Sequence, residues 1–226
     1  MHVLVIVDKA EIVIVLKMKE IETINLFSVP VFKFKVVPTA EQYNTLDNYL
    51  KNVFDSASDK AWASETGKST GEYNLLLHTR PEIQWLINAT SFYMMGAWNK
   101  INYAHGAELS CVTAWANLHG PGHTTGEHTH CNGATSSHLS AVYYFKKPQD
   151  SGHIEFRDPL EYIHSLSPRD MYVTDEYHSK IHTTVESNEF DLLIFPSWLN
   201  HRSQPNKSNE NRIAISMNFI GNWKLK

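Results

Sequence analysis

The sequence predicts a mostly β fold, an antiparallel barrel or jelly roll, with supporting helices packed on one side. Three observations carry that prediction. From residue 109 onward, short apolar runs alternate with turns that hold Gly and Pro. Before it, two segments place their apolar residues at helical spacing. The last run, 211–220, splits by period two into a polar face (Arg212, Ala214, Ser216, Asn218) and an apolar one (Ile213, Ile215, Met217, Phe219).

In chain order, Val3 to Leu16 holds two short β-rich runs around Asp8-Lys9-Ala10-Glu11. They read as a hairpin, or equally as an extension upstream of a start at Met18. Asn25 to Val37 alternates in places and reads as a strand. Thr39-Ala-Glu-Gln42 has the form of a capping box, opening a helix whose stripe is Tyr43, Leu46, Leu50 and Val53. A polar loop from Ser56 to Glu72 follows. A second helix opens near Pro81, carries Ile83, Leu86, Ile87 and Tyr93 or Met94, and is expected to end near Gly96. Strands are then expected at Cys111–Leu118, Glu127–Cys131, Leu139–Phe145, His153–Phe156, Leu192–Phe195 and Asn211–Ile220. One domain over 1–226 accommodates this: an extension or hairpin (1–24), a supporting strand and helices (25–108) and a β core (109–222).

Composition narrows the function. The 226 residues are 42% hydrophobic and 19% charged, enough apolar side chain for a core and too little charge for a disordered chain. Twenty Lys and Arg against 24 Asp and Glu leave a net charge of −4, a poor match for a nucleic-acid backbone. Asp8, Lys9 and Glu11 interrupt the longest apolar stretches, so neither a signal-peptide core nor a transmembrane helix can be drawn. Two cysteines make no disulfide scaffold, and Cys131 has no second cysteine at zinc spacing. A reducing, cytoplasmic setting is expected.

Histidine is the unusual residue. Eleven of the 13 lie between His105 and His201. Gly126-Glu-His128-Thr-His130 sets two imidazoles at i and i+2, which on a strand point the same way, about 7 Å apart, close enough to share a metal. Phe195-Pro-Ser-Trp-Leu-Asn-His201 ends an apolar strand with a third histidine. Arg212 follows eleven residues later, room for a turn and an antiparallel return beside His201. A buried Arg is costly unless it meets an anion, so a barrel-facing Arg212 points to one; the rival reading leaves it in water on an edge strand.

In this order the chain resembles the Fe(II)/2-oxoglutarate-dependent oxygenases. Trp115-Ala-Asn117, His128-x-His130, Ser140-Ala-Val-Tyr-Tyr144, Ser151-Gly152, Asp158-Pro159, Phe195-Pro-Ser-Trp-Leu199-x-His201, Pro205-Asn206 and Arg212-Ile213 are similar to a phage and bacterial branch of that superfamily. The resemblance implies a double-stranded β-helix core with Fe(II) at one open end and the N-terminal helices packed on one sheet. It implies His128 and His201 as metal ligands and Arg212 as the partner of the 2-oxoglutarate C5 carboxylate. Fe(II) takes imidazole readily, and Arg offers a planar fork to a carboxylate.

Two positions depart from the pattern. His130 stands where the superfamily usually has Asp or Glu; it is favoured as third ligand over Asp158 or a two-histidine site completed by water. Ala214 stands where many relatives have a small hydroxyl residue, a role open to Ser216 or Tyr144. Asn117 either contacts the co-substrate or orders a turn. His119 and His123 read as surface or substrate-side histidines, and Trp115, Tyr143 and Phe145 as core.

Three functions compete. The first is an oxygenase that uses Fe(II), 2-oxoglutarate and O₂ to hydroxylate a substrate, with release of succinate and CO₂. The second is a cupin-type metalloprotein without 2-oxoglutarate; Gly122 and His128-x-His130 match the cupin opening, but the following glutamate is missing and Arg212 has no role. The third is a non-catalytic metal-binding barrel. A peptide side chain or a small molecule is the favoured substrate, with Leu160 to Glu189 as lid or substrate side.

Overall fold

The computed structural model describes residues 2–5, 14–17, 28–56, 67–73, 76–103, 106–131, 136–162 and 181–222. Its first element is the expected hairpin, β1 (His2–Val5) paired antiparallel with β2 (Ile14–Lys17).

The core is a six-stranded antiparallel sheet facing a three-stranded one. The large sheet runs β3 (Phe32–Lys35), β9 (Asp191–Pro196), β6 (Leu139–Lys146), β11 (Arg212–Asn222), β5 (Glu108–His119) and β4 (Lys68–Ser69). The small sheet runs β10 (His201–Ser203), β7 (Ile154–Arg157) and β8 (His182–Val185). This is a jelly roll, the mostly β fold with few helices that the sequence predicts.

Helix α1 (Ala40–Ser56) starts as its sequence dictates. The Gln42 amide donates to Thr39 Oγ1 at 3.2 Å, and the Thr39 amide donates to Gln42 Oε1 at 2.9 Å, closing the capping box. Helix α2 (Gln84–Lys100) follows a 3-10 turn at Pro81–Ile83. It continues past Gly96, where the sequence predicted its end, because Met94, Ala97 and Trp98 are buried and hold its last turn.

Strand β11 organises the interior. Its apolar residues Ile213, Ile215, Met217 and Phe219 join Leu46, Leu50, Leu86 and Met94 of the helices in one core. Burying such side chains contributes about 1.5–3 kcal/mol each. Gly221 belongs to this packing: a Cβ there would stand 2.4 Å from the Trp98 indole. The opposite face looks between the sheets. Cross-strand pairing aligns it in rows, Tyr144–Ala214–Asn117 and Val142–Ser216–Trp115, with Ser140 opposite Asn218.

The expected strand Glu127–Cys131 is not one. His128 makes a single antiparallel bridge to His201, its amide donating to His201 O at 2.9 Å and accepting the return bond at 3.0 Å. One rung suffices because the neighbouring positions are tied elsewhere, His130 N–H to Ser197 O at 2.9 Å. Three short strands lie outside the expected ones: β4, within the expected Ser56 to Glu72 loop, β8 and β10. Of the expected Asn25 to Val37 strand, residues 25–27 lie outside the described residues, and within 28–37 Phe32–Lys35 is the strand. Residues 163–180 of the expected lid lie outside the described residues.

Candidate metal centre and anion pocket

His128, His130 and His201 come together at one end of the roll. One ring nitrogen from each lies within 4.8 Å of the others. His130 Nε2 and His201 Nε2 are 3.3 Å apart. Two nitrogens about 2.1 Å from one cation, at 90–110° to each other, stand about 3.0–3.4 Å apart, so the pair fits a shared metal. Burial pushes the His128 imidazole below its ordinary pKa. Burial, then the neighbouring His128, lower His130 to about 3; burial, His128 and His130 lower His201 to about 3. All three are neutral at pH 7, the form that binds a cation.

Among the described residues, carboxylates stay outside this cluster. Asp158 Oδ1 accepts the Leu160 amide at 2.8 Å. Glu127, next to His128, accepts from Arg157 Nη1 at 2.6 Å and Asn200 Nδ2 at 2.9 Å, and its other oxygen meets His182 Nε2 at 2.7 Å. It thereby ties the His128 segment to β7, β8 and the turn before His201.

Arg212 lies deeper in the same pocket and is 1% exposed. Its Nη1 donates to Ser151 O and, at 3.2 Å, to Gln204 O. Its Nη2 donates to His119 Nδ1 and to Ser203 Oγ, each at 3.1 Å. Every acceptor is neutral, and among the described residues no carboxylate pairs with it. Gly152 makes the close approach of Ser151 possible: its φ is +79°, and a Cβ would meet Pro205 O at 2.8 Å and Gln204 O at 2.9 Å.

The pocket joins the two groups. Its empty space is about 550 Å³, part of it open to solvent. His128 and His201 line it with Arg212, as do Tyr144, Ser216 and Asn117. Burial raises the Tyr144 phenol above its ordinary range, keeping it a neutral donor. Trp115 is a wall of this pocket rather than core, its ring 5.4 Å from that of His130. Tyr143 and Phe145 are core, as expected.

His119 corrects the sequence reading. It is 2% exposed and faces Arg212, not the surface. Arg only donates, so His119 Nδ1 accepts, and its Nε2–H donates to Thr125 Oγ1 at 3.1 Å. Burial, then Arg212, lower His119 to about 3, which keeps that neutral form. Its register opposite Arg212 is the signal that could have found it.

With this geometry in place, comparison with known proteins becomes informative. Residues 113–218 match a family model described as a 2OG-Fe(II) oxygenase. Over that segment the chain is similar to the 2-oxoglutarate–Fe(II) oxygenases. Three solved structures share the oxygenase fold. A Pseudomonas putida prolyl-4-hydroxylase is 13% identical, covering 85% of this chain and 93% of its own, with a TM-score of 0.54. The non-heme α-ketoglutarate-dependent epimerase SnoN from nogalamycin biosynthesis is 14% identical, covering 85% and 76%, with a TM-score of 0.54. A viral collagen prolyl hydroxylase from Paramecium Bursaria Chlorella virus-1, in complex with 2OG, is 14% identical, covering 84% and 94%, with a TM-score of 0.51. No curated protein matches the chain by sequence. Among the described residues, no helix is long and apolar enough to cross a membrane.

Proposed function

We propose that the protein is a 2-oxoglutarate-dependent dioxygenase that hydroxylates a C–H bond, with release of succinate and CO₂. One observation carries this reading: three neutral imidazoles cluster together, and two of them, His128 and His201, line one pocket with a buried arginine that has no carboxylate partner among the described residues. The donor set fits Fe(II), since imidazole suits iron and three ligands leave coordination positions open. Bound there, Fe(II) and 2-oxoglutarate supply the activation of O₂ that oxidises the substrate.

The chain's own residues then have these roles. His128, His130 and His201 hold the metal. Arg212 receives the C5 carboxylate, and its buried charge gains the anion it lacks. Tyr144, Ser216 and Asn117 line the path between the two. Trp115 covers the His130 side and limits water there.

The substrate side is an open cleft walled by Arg157, Tyr162, Trp198 and Asn200. Tyr162 is 78% exposed and Trp198 45%, offering aromatic surface to a peptide side chain or a small molecule. A cupin-type reading explains the histidines but gives Arg212 no task.

The test is product analysis under air with Fe(II), 2-oxoglutarate and candidate peptides or small molecules. Succinate formation that needs O₂, and that His201→Ala abolishes, is expected. Metal binding without succinate formation under any of these conditions would overturn the proposal.

A further inference from the structure

The Nδ1 atoms of the three histidines are held in two different ways. His128 Nδ1 lies 2.8 Å from Gly126 O, and His201 Nδ1 lies 2.9 Å from Leu199 O. A carbonyl oxygen only accepts, so in both rings the hydrogen sits on Nδ1 and Nε2 keeps its lone pair. His130 differs. Its Nδ1 lies 3.3 Å from Asn218 Nδ2, and exchanging the nitrogen and oxygen of that amide presents an acceptor there instead.

Behind the amide runs a buried chain of hydroxyls. Asn218 Oδ1 lies 2.8 Å from Ser140 Oγ, Ser140 Oγ 2.8 Å from Ser197 Oγ, and Ser197 Oγ 2.9 Å from Ser137 Oγ. Ser137 Oγ returns to the backbone carbonyl of His130 at 3.2 Å. All four side chains are buried, so water is a poor substitute for any of them.

Two polarities satisfy this chain. In one, the Asn218 NH₂ donates to His130 Nδ1, which forces hydrogen onto Nε2 and blocks the lone pair. In the other, His130 Nδ1–H donates to Asn218 Oδ1. The NH₂ then donates to Ser140, Ser140 to Ser197, Ser197 to Ser137, and Ser137 to His130 O. Only the second leaves all three Nε2 atoms able to bind one cation.

We propose that Asn218 is the positioning residue that makes His130 a metal ligand, accepting Nδ1–H with its side-chain oxygen and passing the polarity into the serine chain. This rests on the three-histidine reading above. It also explains how a third imidazole works where, among the described residues, a side-chain amide and not a backbone carbonyl faces its Nδ1. Acceptors of this kind orient metal-bound histidines, and losing one typically weakens metal affinity 10–100-fold.

The experiment uses Co(II) alone, added to metal-free protein under exclusion of air. In high-spin Co(II) protein, each ligating histidine with a protected Nδ1–H gives a strongly shifted, exchangeable proton signal. Wild type is expected to show three. Asn218→Leu is expected to lose one signal and about 10–100-fold in Co(II) affinity, with unchanged thermal unfolding in chelator; Asn218→Ala replaces it if leucine prevents folding. Asn218→Asp keeps the acceptor and is expected to retain three signals and affinity within a few-fold. Three signals and wild-type affinity in Asn218→Leu or Asn218→Ala would overturn the proposal, as would an Asn218→Asp protein that behaves like Asn218→Leu. Two signals in wild type would instead remove His130 from the ligand set, so that the three-histidine reading fails and this proposal with it.

Discussion

His119 and Arg212 stand opposite each other in the β5–β11 ladder, and Arg212 Nη2 donates to His119 Nδ1 at 3.1 Å. The pair fixes a cation and the direction of its donors. Its consequence reaches further along the chain of bonds: Thr125 Oγ1 accepts from His119, and Ser203 Oγ accepts from Arg212 and from the Thr125 amide at 2.8 Å. Both hydroxyls thus keep their own hydrogens for another acceptor, and both line the pocket.

Arg212→Met is expected to weaken 2-oxoglutarate binding about 10- to 100-fold or more, since bonds to charged groups contribute about 1.5–3 kcal/mol each. His119→Phe should act in the same direction but less strongly, leaving metal affinity near wild type. Calorimetric titration of 2-oxoglutarate into Mn(II)-loaded, oxygen-free protein measures both. Unchanged affinity in Arg212→Met would mean that the guanidinium does not hold the co-substrate.

Ser203→Ala should lower affinity for 2-oxoglutarate several-fold while sparing a keto acid without a distal carboxylate, such as 2-oxobutyrate. That selectivity would place the hydroxyl function absent at Ala214 on β10 instead. Equal losses for both ligands would point to a general distortion of the pocket.

Removing the metal should lower the unfolding temperature. A ligand at 100 times its Kd stabilises the folded chain by about 2.7 kcal/mol. The shift between Co(II) and chelator should vanish in His128→Ala and His201→Ala, and survive in His130→Asp, which keeps a ligand at that position. Differential scanning calorimetry reads this directly.

Gly152→Ala is expected to cost about 1–3 kcal/mol, because a left-handed φ and two backbone carbonyls leave no room for the methyl. The strain falls beside Ser151, whose carbonyl holds Arg212. Loss of 2-oxoglutarate affinity should accompany the loss of stability in urea unfolding.

Asp191 supports the β3–β9 seam and gives the expected pH response. Burial raises its carboxyl, but the Asn188 amide at 2.7 Å and the Lys33 and Lys35 ammonium groups outweigh this, and the net shift is downward. A lowered carboxyl pKa gives stability that is present above the unfolded value and lost as pH falls through the folded one. Asp191→Asn should therefore be less stable than wild type at pH 7 by about 1–2 kcal/mol. That gap should close in acid, as pH-dependent melting will show.

The parts of this protein that follow local rules were legible in the sequence. Thr39 and Gln42 announce a capped helix, and the period-two faces of 212–219 announce a strand between a helix-packed core and a polar interior. His128 and His130 stood out by their i, i+2 spacing, His201 by its place at the end of an apolar strand and Arg212 by the cost of burying it without an anion, and the structure brings the three histidines together. What escaped was set by pairing across long separations. His128 looked like part of a strand, yet its place depends on one bridge to His201. His119 looked like a turn histidine until register put it against Arg212. The serine chain behind Asn218 draws on residues 137, 140 and 197, whose small polar side chains carry no periodic signal.

The most direct test of the central claim is an oxygen-free titration of Fe(II)-loaded protein with 2-oxoglutarate, followed in the visible. The account predicts an iron-to-keto-acid charge-transfer band in wild type that weakens in Arg212→Met at equal 2-oxoglutarate and disappears in His201→Ala. Fe(II) bound with no such band at saturating 2-oxoglutarate would contradict it.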